Sequence, residues 1–307
     1  MNTRDLIIIG GGPAGLTAAI YAARAQLKPL IVAGALPGGQ LMLTREIENF
    51  PGFDEPILGS ELMARMRRQA ERYGTDIINE DVTTADFSTR PFKIMTASGA
   101  HIARAVIIAT GAAAKWLNVP NEKKFVGRGV HTCATCDGYA YRGKHVAVIG
   151  GGDAAMEEAL ALAELDVNVT IIHRRDTFKA SEIMAKRVLA HPKINVRWNA
   201  AVEEIIGTDN FAGIRVKDTM TGATEELTLN GIFLAIGRTP ATAFLQGQIE
   251  LDALGYVVAR NRTQSSVDGV FVAGDAEDRH YRQAITAAAD GCKAAIDAKQ
   301  WLGANAA

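Results

Sequence analysis

The sequence predicts an α/β protein built from two doubly wound, Rossmann-like nucleotide-binding domains of three layers, the second inserted in the first. Three observations predict it. An apolar run leading into a glycine cluster occurs twice, as Leu6-Ile7-Ile8-Ile9 before Gly10-Gly11-Gly12-Pro13-Ala14-Gly15 and as Val146-Ala147-Val148-Ile149 before Gly150-Gly151-Gly152-Asp153-Ala154-Ala155. The two stretches form an internal repeat, with residues 6–34 lying over 146–174 without a gap. Beyond them the chain returns to strand-like patterns but offers no third glycine fingerprint.

Each copy reads as a buried strand, a glycine turn, an amphipathic helix and a second strand, the opening of a doubly wound domain. The helices are expected over 14–25 and 154–165. Leu16, Ala19, Ile20 and Ala23 recur at helical spacing in the first, and Met156, Ala159, Leu160 and Ala163 in the second. The second strands are expected over 29–33 and 167–173. Ile107-Ile108-Ala109-Thr110-Gly111 and Ile232-Phe233-Leu234-Ala235-Ile236-Gly237 are matching strand-then-glycine segments, each closing its own domain. Val270-Phe271-Val272-Ala273-Gly274-Asp275 and a long helical pattern over 283–301 then supply the last strand and helix of the first domain. That domain is therefore expected over 1–115 and 245–307, with the second over 116–244. The chain crosses between them near 112–118 and 239–248, and paired crossings make a natural hinge.

A chain of 307 residues is long enough for two cored domains, and 48% hydrophobic with 22% charged residues is ordinary globular composition. A formal net charge of -1 argues against a nucleic-acid binder. No apolar stretch has the length to cross a bilayer. Met1 leads into a strand by residue 6, a start expected to leave no room for a signal peptide. Three cysteines make no disulfide scaffold, so a reducing, cytoplasmic setting is expected.

The first fingerprint has the context a dinucleotide site needs. Gly10 permits the tight turn, Gly12 lets backbone approach a pyrophosphate, and Gly15 lets helix and strand pack closely. The acid expected after the next strand to hold a ribose is absent, and Ala33-Gly34 stand there, so that position does not identify the nucleotide. In the second copy the same offset carries His173-Arg174-Arg175, with Lys179 following. Cations there pair with a ribose 2′-phosphate, which favours NADPH over NADH; the alternative is a solvated charge cluster. The two copies are thus expected to bind different nucleotides.

Between the fingerprints lies Cys133-Ala134-Thr135-Cys136-Asp137. A zinc site needs four ligands, and only His131, His145 and distant Cys292 are on offer without a second Cys-x-x-Cys. No metal site is expected. Two inert buried cysteines are an alternative that the polar neighbours Thr132, Thr135 and Asp137 disfavour. The favoured reading is a redox dithiol whose adjacent carboxylate moves protons to and from the departing thiolate. Cys292, in an Ala-rich helical stretch, reads as packing.

Over essentially its whole length the chain resembles the low-molecular-weight, bacterial-type thioredoxin reductases. The matching segments are Gly38-Gly39-Gln40-Leu41, Glu48-Asn49-Phe50-Pro51-Gly52, Ala109-Thr110-Gly111-Ala112, Cys133-Ala134-Thr135-Cys136-Asp137-Gly138, Gly150-Gly151-Gly152-Asp153, His173-Arg174-Arg175-Asp176, Ala235-Ile236-Gly237, Gly274-Asp275 and Tyr281-Arg282-Gln283-Ala284-Ile285. The resemblance implies FAD in the first domain, at Gly10, Gly12, Pro13, Ala14, Gly15, Gly34, Gly39, Gln40, Asn49, Thr110, Gly111, Gly274, Asp275, Arg282, Gln283 and Ala284. It implies NADPH in the second, at Gly150, Gly152, Asp153, Ala154, His173, Arg174, Arg175, Lys179, Gly237 and Arg238. It also implies that Cys136 faces the flavin, Cys133 attacks a thioredoxin-like disulfide, and Asp137 supplies the proton. A homodimer and a rotation between domains are implied too. Lys179 stands where many members have arginine, and His131-Thr132 and Asp153-Ala154 are local departures from the pattern.

Two rival functions keep the same residues. One is a related flavin-dependent NADPH oxidoreductase or dithiol oxidase acting on another acceptor; the other is a nucleotide-binding redox sensor without turnover.

Overall fold

The computed structural model describes residues 3–44 and 46–305; Met1, on which the reading of the chain's start rests, lies outside them. Two compact units form, Met1–Ala113 with Thr239–Ala307, and Ala114–Arg238.

In the first unit, β1 (Arg4–Ile9) leads through the glycine turn into α1 (Pro13–Arg24) and β2 (Leu30–Val32). α2 (Gly59–Arg72) connects to β3 (Asp76–Ile78), and β4 (Thr84–Asp86) and β5 (Phe92–Thr96) precede the long β6 (Gly99–Ile108). The sheet order is β3-β2-β1-β6-β5-β4. β1 is continuously apolar over residues 6–9 because both its faces are covered there. Leu6 and Ile8 enter one core with α1 and α2, while Ile7 and Ile9 enter the other with Phe92, Ile94 and Leu245. Each such side chain contributes about 1.5–3 kcal/mol of hydrophobic stabilisation, so the alternation fixes the strand's register.

The second unit repeats the plan. It holds β7 (Val130–His131), α3 (Ala134–Asp137), β8 (His145–Gly150), α4 (Asp153–Glu164), β9 (Asn168–Ile172), α5 (Glu182–Leu189) and β10 (Ile194–Arg197). β11 (Ala200–Gly207), β12 (Phe211–Asp218) and β13 (Thr224–Thr228) then form an antiparallel sheet, and β14 (Gly231–Ala235) returns to the parallel one. The parallel order is β7-β14-β8-β9-β10. Val146 and Val148 of β8 pack with α4, and Ala147 and Ile149 pack with Val202, Ile205, Ile214 and Val216 of the antiparallel sheet.

The chain returns to the first unit through β15 (Val270–Val272) and α6 (Ala284–Ala304). β15 lies parallel to β6, pairing Val270 with Val106 and Val272 with Ile108. α6 packs closely on α1, since a Cβ at Gly291 would fall on the Ala14 carbonyl. Cys292 on α6 is a free, half-buried thiol hydrogen-bonded with the Tyr21 phenol.

The unit ends differ from the expected 116–244. Residues 239–244 pack with the first unit: Ala241 N–H donates to Gly111 O at 3.0 Å, and the buried Thr242 hydroxyl donates to Gly255 O. Lys115, expected in the first domain, donates instead to Gly237 O of the second at 3.0 Å.

Candidate active site

The first glycine turn is shaped by what surrounds it. Gly10 has φ +121°, and a Cβ there would strike the Ala109 carbonyl; one at Gly15 would strike the Gly10 carbonyl. Gly12, the N-cap of α1, is different: a Cβ there would meet nothing within 4 Å. Pro13 occupies the first helical turn and no side chain caps it, so the helix N-terminus and Ala14 present bare backbone to an open space, an arrangement suited to an anion. Gly39, at φ +64°, lies against Gly12, with half-buried Gln40 next to it. Thr110 brings a buried hydroxyl that has no hydrogen-bond partner, beside Gly111 at φ +69°. Asp81 is a residue the motif search missed: its Oδ1 accepts from Ala35 N–H at 2.9 Å and so brings a carboxylate to the Gly34 turn, where the fingerprint acid is lacking.

The end of β15 completes this set. Gly274 has φ +68°, and a Cβ there would lie 3.0 Å from the Ala14 Cβ, so only glycine lets the 274–276 turn with Asp275 close over α1. Asp278, also missed, organises the next loop by accepting from the N–H groups of His280, Tyr281 and Arg282 at 2.8, 2.9 and 3.0 Å. Arg282 is held at φ +52° with a buried, unpartnered Nε. Gln283 caps α6 through a reciprocal box with Thr286, ahead of Ala284, and its Oε1 accepts from Asn49 Nδ2 at 3.4 Å. Two orphaned buried polar atoms and an open glycine cradle in one unit fit a large polar cofactor carrying a pyrophosphate.

The second glycine turn repeats the logic. A Cβ at Gly150 would collide with the Ala235 carbonyl, whereas Gly152 again faces open space. Asp153 opens α4 beside exposed Ala154, and its Oδ1 accepts both the N–H and the hydroxyl of Ser181 at 2.8 Å. Those bonds hold the Asp153 carboxyl below its ordinary pKa, so its visible task is to fix the entry to α5. His173 is buried, with its ring over Gly151 and Nε2 against Thr177 O at 2.9 Å. Sequence groups His173 with the cations, but the structure gives it a packing role. Arg174, Arg175 and Lys179 are exposed and make no ion pair among the described residues, which suits a phosphate. Gly237 has φ +101°, and Arg238 directs one amino group to Thr132 O at 3.0 Å, bracing the segment that enters the dithiol.

Cys133 and Cys136 form a disulfide, with Cα atoms 5.3 Å apart. Cys133 is the N-cap of α3, its Sγ accepting from Cys136 N–H at 3.2 Å and its carbonyl accepting from Asp137 N–H at 3.1 Å. Asp137 Oδ2 lies 3.2 Å from His131 Nδ1, and His131 Nε2 lies 2.8 Å from the Tyr141 hydroxyl. The buried imidazole stacks on Phe233 at 5.2 Å, and Tyr141 meets both rings edge-on. Burial, and then the Asp137 charge, push the Tyr141 phenol up to about 12.

Comparison with known proteins accords with these features. The family description "pyridine nucleotide-disulphide oxidoreductase" matches residues 4–291. Thioredoxin reductase 1, mitochondrial, of Arabidopsis thaliana is 54% identical over 98% of this chain and 84% of its own. Thioredoxin reductase of Mycolicibacterium smegmatis is 52% identical over 98% and 97%. Among solved structures, thioredoxin reductase from Giardia duodenalis superposes with a TM-score of 0.94 at 41% identity, covering 99% of this chain and 100% of that one. The Streptococcus pyogenes thioredoxin reductase gives 0.94 at 35% identity, covering 98% and 99%.

Proposed function

Since the chain belongs to the pyridine nucleotide-disulphide oxidoreductases and, among them, to the thioredoxin reductases, we propose that it passes reducing equivalents from NADPH through FAD and the Cys133–Cys136 disulfide to oxidised thioredoxin. The observation that carries this is the disulfide at the N-terminus of α3, in the same unit as a glycine turn attended by three exposed cations. Members of the family use FAD and NADPH. When bound, FAD accepts a hydride from the nicotinamide and yields two electrons to a disulfide.

The chain's own residues do the rest. The open backbone at Gly12, Pro13 and Ala14 would hold the FAD pyrophosphate, with Gly34, Gly39, Gln40 and Asn49 as further FAD-binding residues. Thr110, Gly111, Gly274 and Asp275 would complete that site, and Arg282, Gln283 and Ala284 would bind its flavin. Gly150, Gly152 and Ala154 would receive the NADPH pyrophosphate; Arg174, Arg175 and Lys179 would grip the 2′-phosphate, and Gly237 and Arg238 would also bind that cofactor. Cys136 would take the electrons from the flavin, Cys133 would attack the thioredoxin disulfide, and Asp137 would give a proton to the departing sulfur. Among the described residues no helix is long and apolar enough to cross a membrane. A homodimer in the cytoplasm is the setting we propose.

The test is direct. Purified protein should be yellow, and NADPH should be consumed only when thioredoxin is present. Cys136→Ser should abolish that turnover while NADPH still bleaches the flavin. Bleaching without thioredoxin-dependent turnover in the native enzyme overturns the proposal in favour of another acceptor or a sensor.

A further inference from the structure

Resting on the function just proposed, we infer that His131 is a positioning residue for thiol–disulfide exchange, its imidazole holding the Asp137 carboxyl through a hydrogen-bond chain that begins at Tyr141. Each turnover takes in one NADPH and one proton and converts a disulfide into two thiols. When Cys133 attacks the partner's disulfide, one S–S bond forms, another breaks, and the leaving sulfur needs a proton. When Cys136 then re-forms the Cys133–Cys136 bond, Cys133 departs from the partner's second sulfur, which needs another. A carboxyl beside the dithiol serves these exchanges only if it is held there and kept from turning away.

The chain of contacts has one consistent polarity. The Tyr141 phenol, pushed up to about 12, keeps its proton, and a carboxylate at Asp137 can only accept, so Nδ1 of the neutral ring holds the proton and the Tyr141 O–H donates to His131 Nε2 at 2.8 Å. A neutral imidazole accepting at Nε2 carries its proton on Nδ1. Nδ1–H then donates to Asp137 Oδ2 at 3.2 Å, reserving Oδ1 for the proton exchanged with sulfur. The ring cannot swing, because it is buried and stacked on Phe233 while Tyr141 closes its edge.

Among the described residues, four charged or titratable groups lie around it. Asp137 faces the ring from α3 and Tyr141 from the turn Gly138–Tyr141. Arg238 donates to the neighbouring carbonyl of Thr132, and Lys144 Nζ sits 5.4 Å from the Tyr141 ring centre. Asp137 is thus the carboxylate this histidine addresses. Sequence marked His131 as a local departure; the structure gives the departure a partner on each side.

The experiment uses the holoenzyme and two variants. His131→Phe keeps the stacking and removes both hydrogen bonds. It should lower thioredoxin-dependent kcat about tenfold while NADPH still bleaches the flavin within about twofold of the native rate. His131→Asn places an amide N–H where Nδ1 stands and should recover most of the lost kcat. Unchanged kcat in His131→Phe, or equal losses in both variants, overturn the inference. If a variant fails to fold, 15N spectra of native protein carrying labelled histidine decide it: the Nδ1–H tautomer supports the chain, and the Nε2–H tautomer sinks it. That readout stands whether or not the native enzyme turns over with thioredoxin, so the two proposals fail separately.

Discussion

Lys179 donates its backbone N–H to the Gly151 carbonyl at 2.7 Å, and Ala180 donates to the same oxygen at 3.1 Å. The loop after β9 is therefore tied to the glycine turn it follows by 28 residues in sequence, and the exposed Arg174, Arg175 and Lys179 ride on backbone fixed to the nucleotide cradle. Replacing Arg174 and Arg175 together by alanine should raise KM for NADPH at least about tenfold and leave KM for NADH within about twofold, because only the former carries the 2′-phosphate. Lys179→Arg should lower KM for NADPH several-fold, since a planar guanidinium grips a phosphate through two N–H groups. Steady-state kinetics with both nucleotides checks each outcome. A parallel change for NADH would assign these cations to the common part of the cofactor.

The glycines of the first turn divide into two kinds, and substitution should separate them. An alanine Cβ at Gly15 would collide with the Gly10 carbonyl, so Gly15→Ala should fail to fold or melt far below the native protein. Gly12→Ala meets open space at a φ of -82°, which alanine adopts freely. It should fold with the melting temperature of flavin-stripped native protein and yet purify colourless, because the methyl group occupies the pyrophosphate's approach. Retention of full yellow colour by Gly12→Ala would move the cofactor away from this turn.

Asp278 offers a test of how the C-terminal loop is held. Its carboxylate gathers three consecutive backbone N–H groups, ending at Arg282, whose positive φ is otherwise unfavourable. Asp278→Ala should release residues 279–283, quicken proteolytic cleavage there, and weaken FAD retention about tenfold or more. Flavin release during dialysis and the mapped cleavage sites provide the measurement. A variant that keeps both its loop and its flavin would show that capping of α6 by Gln283 suffices.

The parts of this architecture that sequence made legible are those with short-range signals. Four apolar residues before a glycine turn marked β1 and β8, and helical spacing marked α1 and α4, because these elements face a core on a fixed period. The dithiol and the cations after β9 announce themselves by spacing. What sequence did not show depends on which side chain meets which backbone. His173 looks like one more cation beside Arg174, and only the fold turns it inward beneath Gly151. Asp153 looks like a phosphate-turn residue, but its carboxyl meets Ser181, 28 positions on. Asp81 reaches the Gly34 turn from the far end of β3, a proximity set by sheet order alone. Asp278 was readable in principle, since an aspartate two residues before a loop's N–H groups is a local turn signal.

Glu277 makes the last prediction, about stability. Burial raises its carboxyl pKa, and the charges of Asp278 and Asp290 raise it further, against smaller opposing effects of Arg279 and Lys293. A carboxyl raised in the folded state binds its proton more tightly there than in the unfolded chain. Folding is therefore favoured by this group below its unfolded pKa, and that contribution is lost as pH rises through the folded value. Glu277→Gln removes the charge at every pH. Because the side chain is only partly buried, solvent screens much of the effect, and the variant should melt only about 1–2 °C above the native protein at pH 8. The difference should vanish at pH 4, where native Glu277 is itself protonated. Melting curves of flavin-loaded samples at the two pH values check this, and an equal shift at both would make the gain one of packing rather than charge.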